Sequence, residues 1–380
     1  MKSPRVLTGT HFMLGNHAVV EGALAAGCDF FAGYPITPAN EILERMAQRL
    51  PQVGGKFLQA EDEMCAIFAV TGAVLAGAKA MTATASAGFS YMQEAIGYAV
   101  AAEIPCVIVD VQRVRGENYA TQADVMQMRW GADGDYEIIV LAPSSVQELF
   151  DYTIKAFNFA EKYRNPVIVM SEATIALARE KLVIPEPEKI QIIERKKPSI
   201  PPKEFLPFAA GSDGVPPLPS LGEGYRVLHS HNPHDERGDI RWDPDAYERM
   251  YKRILGKIAD HRYEIAEAEG FFVEDAETLL IAYGSESRVA LQVVHEARAR
   301  GLKIGLLKLV TVWPIPEKQI KEAAQKVATV IVLEMNVGKY VNEIERVLCG
   351  RDCKIIRATK NRGEVHTPEE IYSLIIKRRE

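Results

Sequence analysis

Two short apolar runs, Cys106-Val107-Ile108-Val109 and Pro166-Val167-Ile168-Val169-Met170, carry no polar residue that would mark an exposed face. Strands of this kind are typical of parallel sheets that are buried on both sides. Further strands are predicted near 28–32, 79–84 and 137–141, and helices at 16–27, 63–77, 88–101 and 145–162. Strands that alternate with helices predict an α/β fold, in which helices cover both faces of a parallel sheet.

The rest of the chain divides at a proline-rich stretch. Residues 184–224 contain nine prolines and predict a linker, and the polar residues 225–275 predict an arm with one helix over 244–269. A second alternation follows, with strands at 278–283, 303–309, 328–334 and 353–357 and helices at 286–300, 316–326, 339–348 and 368–378. The predicted organisation is a first domain over 1–183, a linker and arm over 184–275, and a smaller α/β domain over 276–380.

Composition excludes several classes of protein. The chain has 380 residues, a net charge of −6 and no basic stripe, so nucleic acid is not an expected partner. No apolar run predicts a membrane span, and the first residues, MKSPRVLTGTHF, contain no signal core, so the cytoplasm is the expected location. Five scattered cysteines predict neither a disulfide framework nor an iron–sulfur cluster, and we expect no metal site in this chain.

The first stretch with possible chemistry is Gly33-Tyr34-Pro35-Ile36-Thr37-Pro38, directly after a predicted strand. Thr37 is expected to cap a helix that has Pro38 as its first residue. Ligands of open α/β sheets bind where a strand ends and a helix begins, and the helix N-terminus favours an anion. From these residues alone, the pattern favours a purely structural cap.

Three acids, Glu61, Asp62 and Glu63, open the next predicted helix. Acids at a helix start suit the helix dipole, which is a sufficient structural reason for all three. Glu63 differs from the others because small and apolar residues follow it, as Met64-Cys65-Ala66-Ile67. It is therefore the candidate for a buried, functional carboxyl group, although the local sequence alone favours a solvated glutamate at the helix start.

Two more strand ends carry candidate residues. The segment Thr82–Glu94 reads TATASAGFSYMQE, and its small residues, which include Ser86 and Gly88, allow close approach of a ligand or of another helix. After the strand 105–111 come Arg113 and Arg115, whose guanidinium groups would point to one face if the strand continued. Arginine suits bidentate carboxylate binding, and ion pairs with nearby acids are the structural alternative.

The order of these motifs resembles the alpha subunit of the 2-oxoacid:ferredoxin oxidoreductases. The matching motifs are GYPITP at 33–38, QAEDE at 59–63, TATASAGFSYM at 82–92 and VQR at 111–113. Later segments match as well, namely LAPSSVQE at 141–148, EKYRNPV at 161–167, HDERG at 234–238 and TVWP at 311–314. The resemblance covers nearly the whole chain except parts of the linker.

The resemblance implies a thiamine-diphosphate pyrimidine-binding domain, followed by a smaller domain like the C-terminal domain of transketolase. It implies that Glu63 contacts the pyrimidine N1′ and that the cofactor also lies against four further residues, Tyr34, Pro35, Ser86 and Gly88. It assigns Thr37 and Arg113 to the substrate carboxylate, and Arg115 is available for a second carboxylate. The segments 130–137 and 234–238 look most like those of 2-oxoglutarate enzymes, with branched-chain 2-oxoacids or pyruvate as alternatives.

A partner is also implied, because the family's diphosphate–Mg²⁺ motif, Gly-Asp-Gly followed by Asn-Asn, does not occur here. The resemblance places Mg²⁺ and a [4Fe-4S] cluster on a beta subunit, with gamma and delta subunits, ferredoxin and coenzyme A as further partners. Two other functions stay open at this point. The chain could be the beta-type subunit of a lipoamide-linked 2-oxoacid dehydrogenase, or a non-catalytic assembly subunit.

Overall fold

The protein is described here by a computed structural model, which covers residues 4–376. Its strands follow the predicted apolar runs closely, and they are β1 Gly9–Leu14, β2 Phe30–Gly33, β3 Lys56–Gln59, β4 Ala80–Thr84, β5 Val107–Gln112, β6 Ile139–Leu141, β7 Val167–Glu172, β8 Arg179–Ile184, β9 Ala268–Phe271, β10 Thr278–Ala282, β11 Ile304–Leu309, β12 Thr311–Trp313, β13 Thr329–Glu334 and β14 Lys354–Thr359.

The helices lie mostly between consecutive strands, and they are α1 Gly15–Ala25, α2 Asn40–Gln52, α3 Glu63–Leu75, α4 Ser86–Tyr91, α5 Gln93–Ala101, α6 Gln127–Trp130, α7 Val146–Tyr163, α8 Ala173–Ala176, α9 Pro244–Ala259, α10 Arg262–Ile265, α11 Glu286–Ala299, α12 Glu317–Ala323, α13 Val341–Val347 and α14 Pro368–Ile376. The alternation of strand and helix, and with it the predicted α/β class, is confirmed. None of these helices is long and apolar enough to cross a membrane, within the part of the chain that the structure describes.

The first sheet has seven strands in the order β12-β6-β7-β5-β4-β2-β3. All of its neighbours pair in parallel except β12, which runs antiparallel to β6. Its central strands are fully buried because helices pack on both faces, with α3 and α5 on one side and α1, α2 and α7 on the other. Continuous apolar sequence is what such two-sided burial requires.

The second sheet has five strands in the order β14-β13-β10-β11-β9, and only β9 is antiparallel to its neighbour. Strand β9 lies inside the stretch that we predicted as linker and arm, and β12 of the first sheet comes from the C-terminal part of the chain. The C-terminal part of the chain therefore contributes one edge strand, β12, to the first sheet. The three-segment division of the sequence stays a prediction.

Two local predictions are wrong. The helix expected over 244–269 ends at Ala259, because residues 268–271 pair instead with β11 as an edge strand. The helix expected to open at Thr37-Pro38 begins at Asn40, since the backbone N–H of Ala39 donates to the carbonyl of Ile36 and closes a turn there. Thr37 is therefore not the helix cap, and its hydroxyl accepts a hydrogen bond from Asn40 Nδ2 at 3.2 Å.

The arm helix α9 is joined to the first sheet by buried charges. The carboxylate of Glu103, in the turn between α5 and β5, accepts from Lys257 Nζ at 2.9 Å and from Arg253 Nη2 at 2.6 Å. Lys257 also donates to the carbonyl of Arg164, and Glu103 and Lys257 have no exposed side-chain surface. Burial alone would raise the pKa of Glu103, but Lys257 and Arg253 outweigh it and hold that pKa well below the usual range.

Candidate active site

The strand order of the first sheet reverses at β2, which has β3 on one side and β4 on the other. Pairing between β2 and β4 stops at Phe31 and Met81, although the two strands continue to Gly33 and Thr84. Their carboxyl ends therefore separate. A crevice at such a reversal is where open α/β sheets bind their ligands.

Glu63 lies at this crevice as the first residue of α3. The helix is started by Asp62, whose carboxylate accepts from the backbone N–H of Cys65 at 2.7 Å. Glu63 itself is only 8% exposed, and no side chain or backbone group among residues 4–376 bonds to its carboxylate. A buried carboxyl group without a partner in its own chain is the signature of a group that serves a ligand.

Gly88 lies directly against that carboxylate. A methyl group on Gly88 would overlap with Glu63 Oε1 and Thr84 Oγ1 and would lie 2.7 Å from Glu63 Cδ. Glycine is therefore required here by close approach, and not by an unusual backbone angle, since Gly88 is an ordinary helical residue of α4. The small-residue stretch after β4 thus forms one wall of the pocket around Glu63.

Ser86, at the start of α4, ties this wall to the neighbouring strand end. Its hydroxyl accepts from the backbone N–H of Arg113 at 3.0 Å and bonds to the carboxylate of Asp124. The guanidinium of Arg113 donates to Asn118 Oδ1 at 2.9 Å. Arg113 is therefore held at both its backbone and its side chain, beside the α4 wall.

The assumption that β5 continues through Arg115 is wrong. The strand ends at Gln112, and the chain turns back so that Val114 N–H donates to the carbonyl of Tyr119. Arg115 is exposed in this turn and makes no hydrogen bond or ion pair with any residue that the structure describes. Its side chain is available to a ligand, but its direction is not fixed by the geometry of a strand.

The remaining predicted site residues follow β2. Tyr34 is 39% exposed, and Pro35 and Thr37 are exposed as well. They share the sheet edge with Glu63, because the carbonyl of Gly33 accepts from Ala60 N–H at 2.9 Å just before α3. The structure therefore links Glu63, Gly88, Ser86 and Arg113 by direct contacts and sets the residues after β2 at the same edge.

A buried polar cluster beneath the site was missed. Asp110 and Thr84 project from neighbouring strands and are fully buried, and Asp124 reaches the same place from the loop after the Arg113 turn. Asp110 alone interrupts the apolar run of β5, which was a usable signal in the sequence. The sequence contained no such signal for Asp124, because its position depends on how the loop after the Arg113 turn folds back.

A second missed group joins the two sheets. Glu172, the last residue of β7, accepts from Ser285 N–H at 2.7 Å and from Ser285 Oγ at 2.9 Å, in the turn after β10. Gln122 Nε2 donates to the same carboxylate and to the carbonyl of Tyr283. Burial raises the pKa of Glu172 to about 7, although the Ser285 bonds oppose the change. This network fixes the second sheet against the site edge of the first.

No group of three or more His, Cys, Asp or Glu side chains that could hold a metal ion occurs between residues 4 and 376. The five cysteines are all free.

Comparison with known proteins gives full-length matches. Residues 21–253 match the family described as "Pyruvate flavodoxin/ferredoxin oxidoreductase, thiamine diP-bdg", and residues 276–371 match "Pyruvate:ferredoxin oxidoreductase core domain II". The chain is 47% identical to the 2-oxoglutarate synthase subunit KorA of Methanothermobacter thermautotrophicus, over 98% of this chain and 99% of that protein. It is 38% identical to the ketoisovalerate oxidoreductase subunit VorB of Methanothermobacter marburgensis, over 91% and 92%.

Solved structures agree. The 2-oxoglutarate:ferredoxin oxidoreductase of Magnetococcus marinus, with 2-oxoglutarate, coenzyme A and succinyl-CoA bound, superposes with a TM-score of 0.92 at 31% identity, covering 98% of this chain and 66% of that one. A split-gene transketolase in an inactive beta4 tetramer shares the fold alone, with a TM-score of 0.57 at 13% identity over 96% of this chain and 95% of that one. The chain therefore belongs to the alpha subunits of the 2-oxoacid:ferredoxin oxidoreductases.

Proposed function

We propose that this chain is the alpha subunit of a 2-oxoglutarate:ferredoxin oxidoreductase, which converts 2-oxoglutarate and coenzyme A to succinyl-CoA and CO₂ and reduces ferredoxin. The observation that carries the proposal is the partnerless, buried Glu63 carboxylate at the strand-order reversal. Three relatives named as 2-oxoglutarate synthase subunits support this substrate over the branched-chain acids, since they are 46–47% identical to this chain, against 38% for the ketoisovalerate subunit.

The pocket around Glu63 fits the pyrimidine of thiamine diphosphate. Gly88 leaves open the face of the carboxylate that a larger residue would fill, and Tyr34, Pro35 and Ser86 border the same crevice. When bound, this cofactor supplies the nucleophilic carbon and the electron sink for decarboxylation. Glu63 would bond to the ring nitrogen N1′ and hold the proton there, which a carboxyl group in a water-poor pocket does effectively.

The substrate side is assigned to Thr37, Arg113 and Arg115. Arg113 is fixed by Ser86 and Asn118 and would bind the carboxylate that every 2-oxoacid carries, together with Thr37. Arg115 is exposed and unpaired among the described residues, so it is available for the distal carboxylate of 2-oxoglutarate. Guanidinium groups suit this task because they bind carboxylates with two parallel hydrogen bonds.

Relatives of this chain are named as subunits, and the surface around the site fits a subunit of a larger complex. Large hydrophobic side chains are exposed on the elements that surround Glu63, namely Tyr34, Leu58, Phe68, Tyr91 and Tyr119. Exposed aromatic groups beside a pocket are typical of a surface that a partner covers. We assign this surface to a beta subunit that supplies Mg²⁺, the diphosphate site and a [4Fe-4S] cluster, with gamma and delta subunits and ferredoxin as further partners.

Gly88→Ala tests the pocket directly. The added methyl group can be accommodated only if both the Glu63 carboxylate and the Thr84 hydroxyl move, because it would overlap with both. We expect turnover of the reconstituted complex to fall by at least about tenfold, the scale of a displaced acid–base group, with little change in thermal unfolding. Gly72→Ala is the matched control, since a methyl group there meets nothing within 4 Å. Equal activities of the two variants would contradict the packing of Gly88 against Glu63.

The proposed substrate is tested with a panel of 2-oxoacids and ferredoxin in the reconstituted complex, with this chain alone as the inactive control. Arg113→Ala should lower kcat/KM for 2-oxoglutarate, pyruvate and 2-oxobutyrate alike. Arg115→Ala should lower it for 2-oxoglutarate only, because only that acid loses a partner. A charge-assisted hydrogen bond contributes about 1.5–3 kcal/mol, so each loss should be roughly tenfold or more.

The exposed Arg249 on α9 provides the control for those variants, and Arg249→Ala should leave all three acids unaffected. Preference for a branched-chain acid in the wild-type complex would replace 2-oxoglutarate as the substrate. Acyl transfer to lipoamide in place of ferredoxin reduction would refute the proposed reaction class. Equal losses on all acids for Arg115→Ala would remove that residue from the specificity role.

A further inference from the structure

We propose that Asp110 is a positioning residue that carries a proton at neutral pH and thereby keeps Asp124, Ser86 and the backbone of Arg113 in place beneath the substrate. This inference rests on the proposed function, because the position of Arg113 matters only if a 2-oxoacid binds there. No motif of the family resemblance includes a role for Asp110.

Asp110 lies in the middle of β5, the central strand between β4 and β7. Its side chain is 0% exposed, and neither carboxyl oxygen has a hydrogen-bond partner among residues 4–376. Its register partner on β4 is Thr84, whose hydroxyl is also buried without a partner. An ionised carboxylate in this place would lose its hydration and gain nothing in return, whereas a protonated one can donate to a neighbouring oxygen.

The neighbour that matters is Asp124. Its carboxylate bonds to Ser86 Oγ, and Ser86 Oγ in turn accepts from the Arg113 backbone at 3.0 Å. The backbone N–H of Asp124 donates to Gln112 Oε1 at 3.0 Å, which fixes the loop against the end of β5. Asp124 therefore anchors the residue that holds Arg113, and anything that pushes Asp124 away moves the arginine turn.

A second negative charge near Asp124 would be costly, because Asp110 is fully buried and Asp124 is bonded to Ser86 and Gln112 beside the end of the same strand. Burial raises the pKa of Asp110 well above its usual range, and the nearby Asp124 raises it further. Burial also raises the pKa of Asp124, but the Ser86 hydrogen bond and the positive charge of Lys339 oppose the change. Of the two carboxyl groups, Asp110 therefore carries the proton. Asp124 stays ionised and accepts the hydrogen bond of the Ser86 hydroxyl.

The other charged groups around the pair are few. Strand β4 presents no charged residue to Asp110, since its register partner there is Thr84, and α3 contributes Glu63 on the far side of that threonine. On β7 the register partner of Asp110 is Met170, and Glu172 pairs with Gln112 two residues further along. Arg113 directs its guanidinium to Asn118, and Lys339 donates to the carbonyl of Ala123 at 2.7 Å. No cation among the described residues bonds to Asp110, so its loss of a proton would place a second negative charge beside Asp124.

The test compares Asp110→Asn with Asp110→Ala in the reconstituted complex, as kcat/KM for 2-oxoglutarate against pH. Wild-type kcat/KM should fall on the alkaline side as Asp110 ionises and Asp124 is repelled. Asparagine is neutral at every pH and can donate, so Asp110→Asn should keep activity within about threefold at neutral pH and lose the alkaline fall. Asp110→Ala should lose about tenfold at all pH values, since a buried donor is removed.

Asp151→Asn on α7 is the matched control, because it removes an aspartate on the remote α7 helix and should change neither rate nor profile. Equal losses for the asparagine and alanine variants at every pH would show that the negative charge is needed, which would overturn the proposal. An alkaline fall that persists in Asp110→Asn would overturn it as well, since another group would then set the profile.

Thermal unfolding of the full chain gives a readout without turnover. Because the folded-state pKa of Asp110 is raised, its neutral form stabilises the fold at acidic pH, and that stability is lost as the pH rises toward the folded pKa. Asp110→Asn should therefore gain melting temperature relative to wild type as the pH rises. Isotope-edited infrared spectra at neutral pH should show a protonated aspartate that this variant lacks. If the complex oxidises no 2-oxoacid, the proposed function fails, while these two measurements still decide the protonation of Asp110.

Discussion

Replacement of Glu63 by glutamine is expected to lower turnover of the reconstituted complex by about a hundredfold or more, which is the usual effect of removing a positioned acid–base group. Glutamine has nearly the same size as glutamate, so it fits between α3 and Gly88 without new overlap. It cannot hold a negative charge or a mobile proton. The measurement is the initial rate of ferredoxin reduction with saturating 2-oxoglutarate, together with the affinity of the complex for thiamine diphosphate.

Glu61→Gln is the matched control, because Glu61 precedes the same helix but is exposed. Its activity should stay within about twofold of wild type, as for most surface substitutions. Activity of Glu63→Gln within a few-fold of wild type would mean that another carboxyl group serves the cofactor. It would also favour the assembly-subunit alternative, in which this chain contributes no catalytic group.

Glu103→Ala is expected to destabilise the folded chain by about 3–5 kcal/mol, the scale for breaking a buried ion pair from one side. The change leaves Lys257 and Arg253 without their carboxylate in the interior, next to Arg164. The cost arises mainly from these uncompensated charges. Equilibrium unfolding in urea measures it, and the arm helix α9 should become the segment with the fastest hydrogen exchange.

Glu194→Ala is the control for that experiment. Glu194 also pairs with a lysine, Lys79, at 3.3 Å, but its side chain is 79% exposed. An ion pair with one solvated partner contributes roughly 0–1 kcal/mol, and Lys79 keeps its bonds to the carbonyls of Ala26 and Ile193, so this variant should unfold almost as the wild type does. A similarly small loss for Glu103→Ala would show that the buried charges are solvated in solution. It would also mean that apolar contacts alone hold α9 to the first sheet.

Predictions from the sequence were correct where the local pattern of apolar residues matches the burial that the tertiary structure requires. The buried strands β5 and β7 and the long helix α7 were predicted because two-sided burial demands continuous apolar residues and an amphipathic helix demands periodic ones. Glu63 was found because an acid stands before a run of small residues. The resemblance then gave it a role that the pattern alone could not give.

The failures have a common cause, which is contact between residues far apart in the chain. Strand β9 was predicted as helix because its pairing partner, β11, lies about forty residues later, and local periodicity does not report such pairing. The cluster of Asp110, Asp124 and Thr84 depends on a loop that folds back over a strand end. Arg115 was assigned to a strand face on the assumption that β5 continues, but the strand ends at Gln112 and the chain turns back through Gly116, which has a φ of +80°.

Strand β12 closes the outer edge of the first sheet, although residues 311–313 are made long after β6. During synthesis on the ribosome, the backbone of Val140 and Leu141 has no edge partner until three of the five strands of the second sheet, β9, β10 and β11, have been translated. An unpaired edge of this kind attracts other chains. The nascent protein therefore passes through a long interval in which this edge of the first sheet is open. Completion of the first sheet therefore depends on a strand that is made only after most of the chain has been translated.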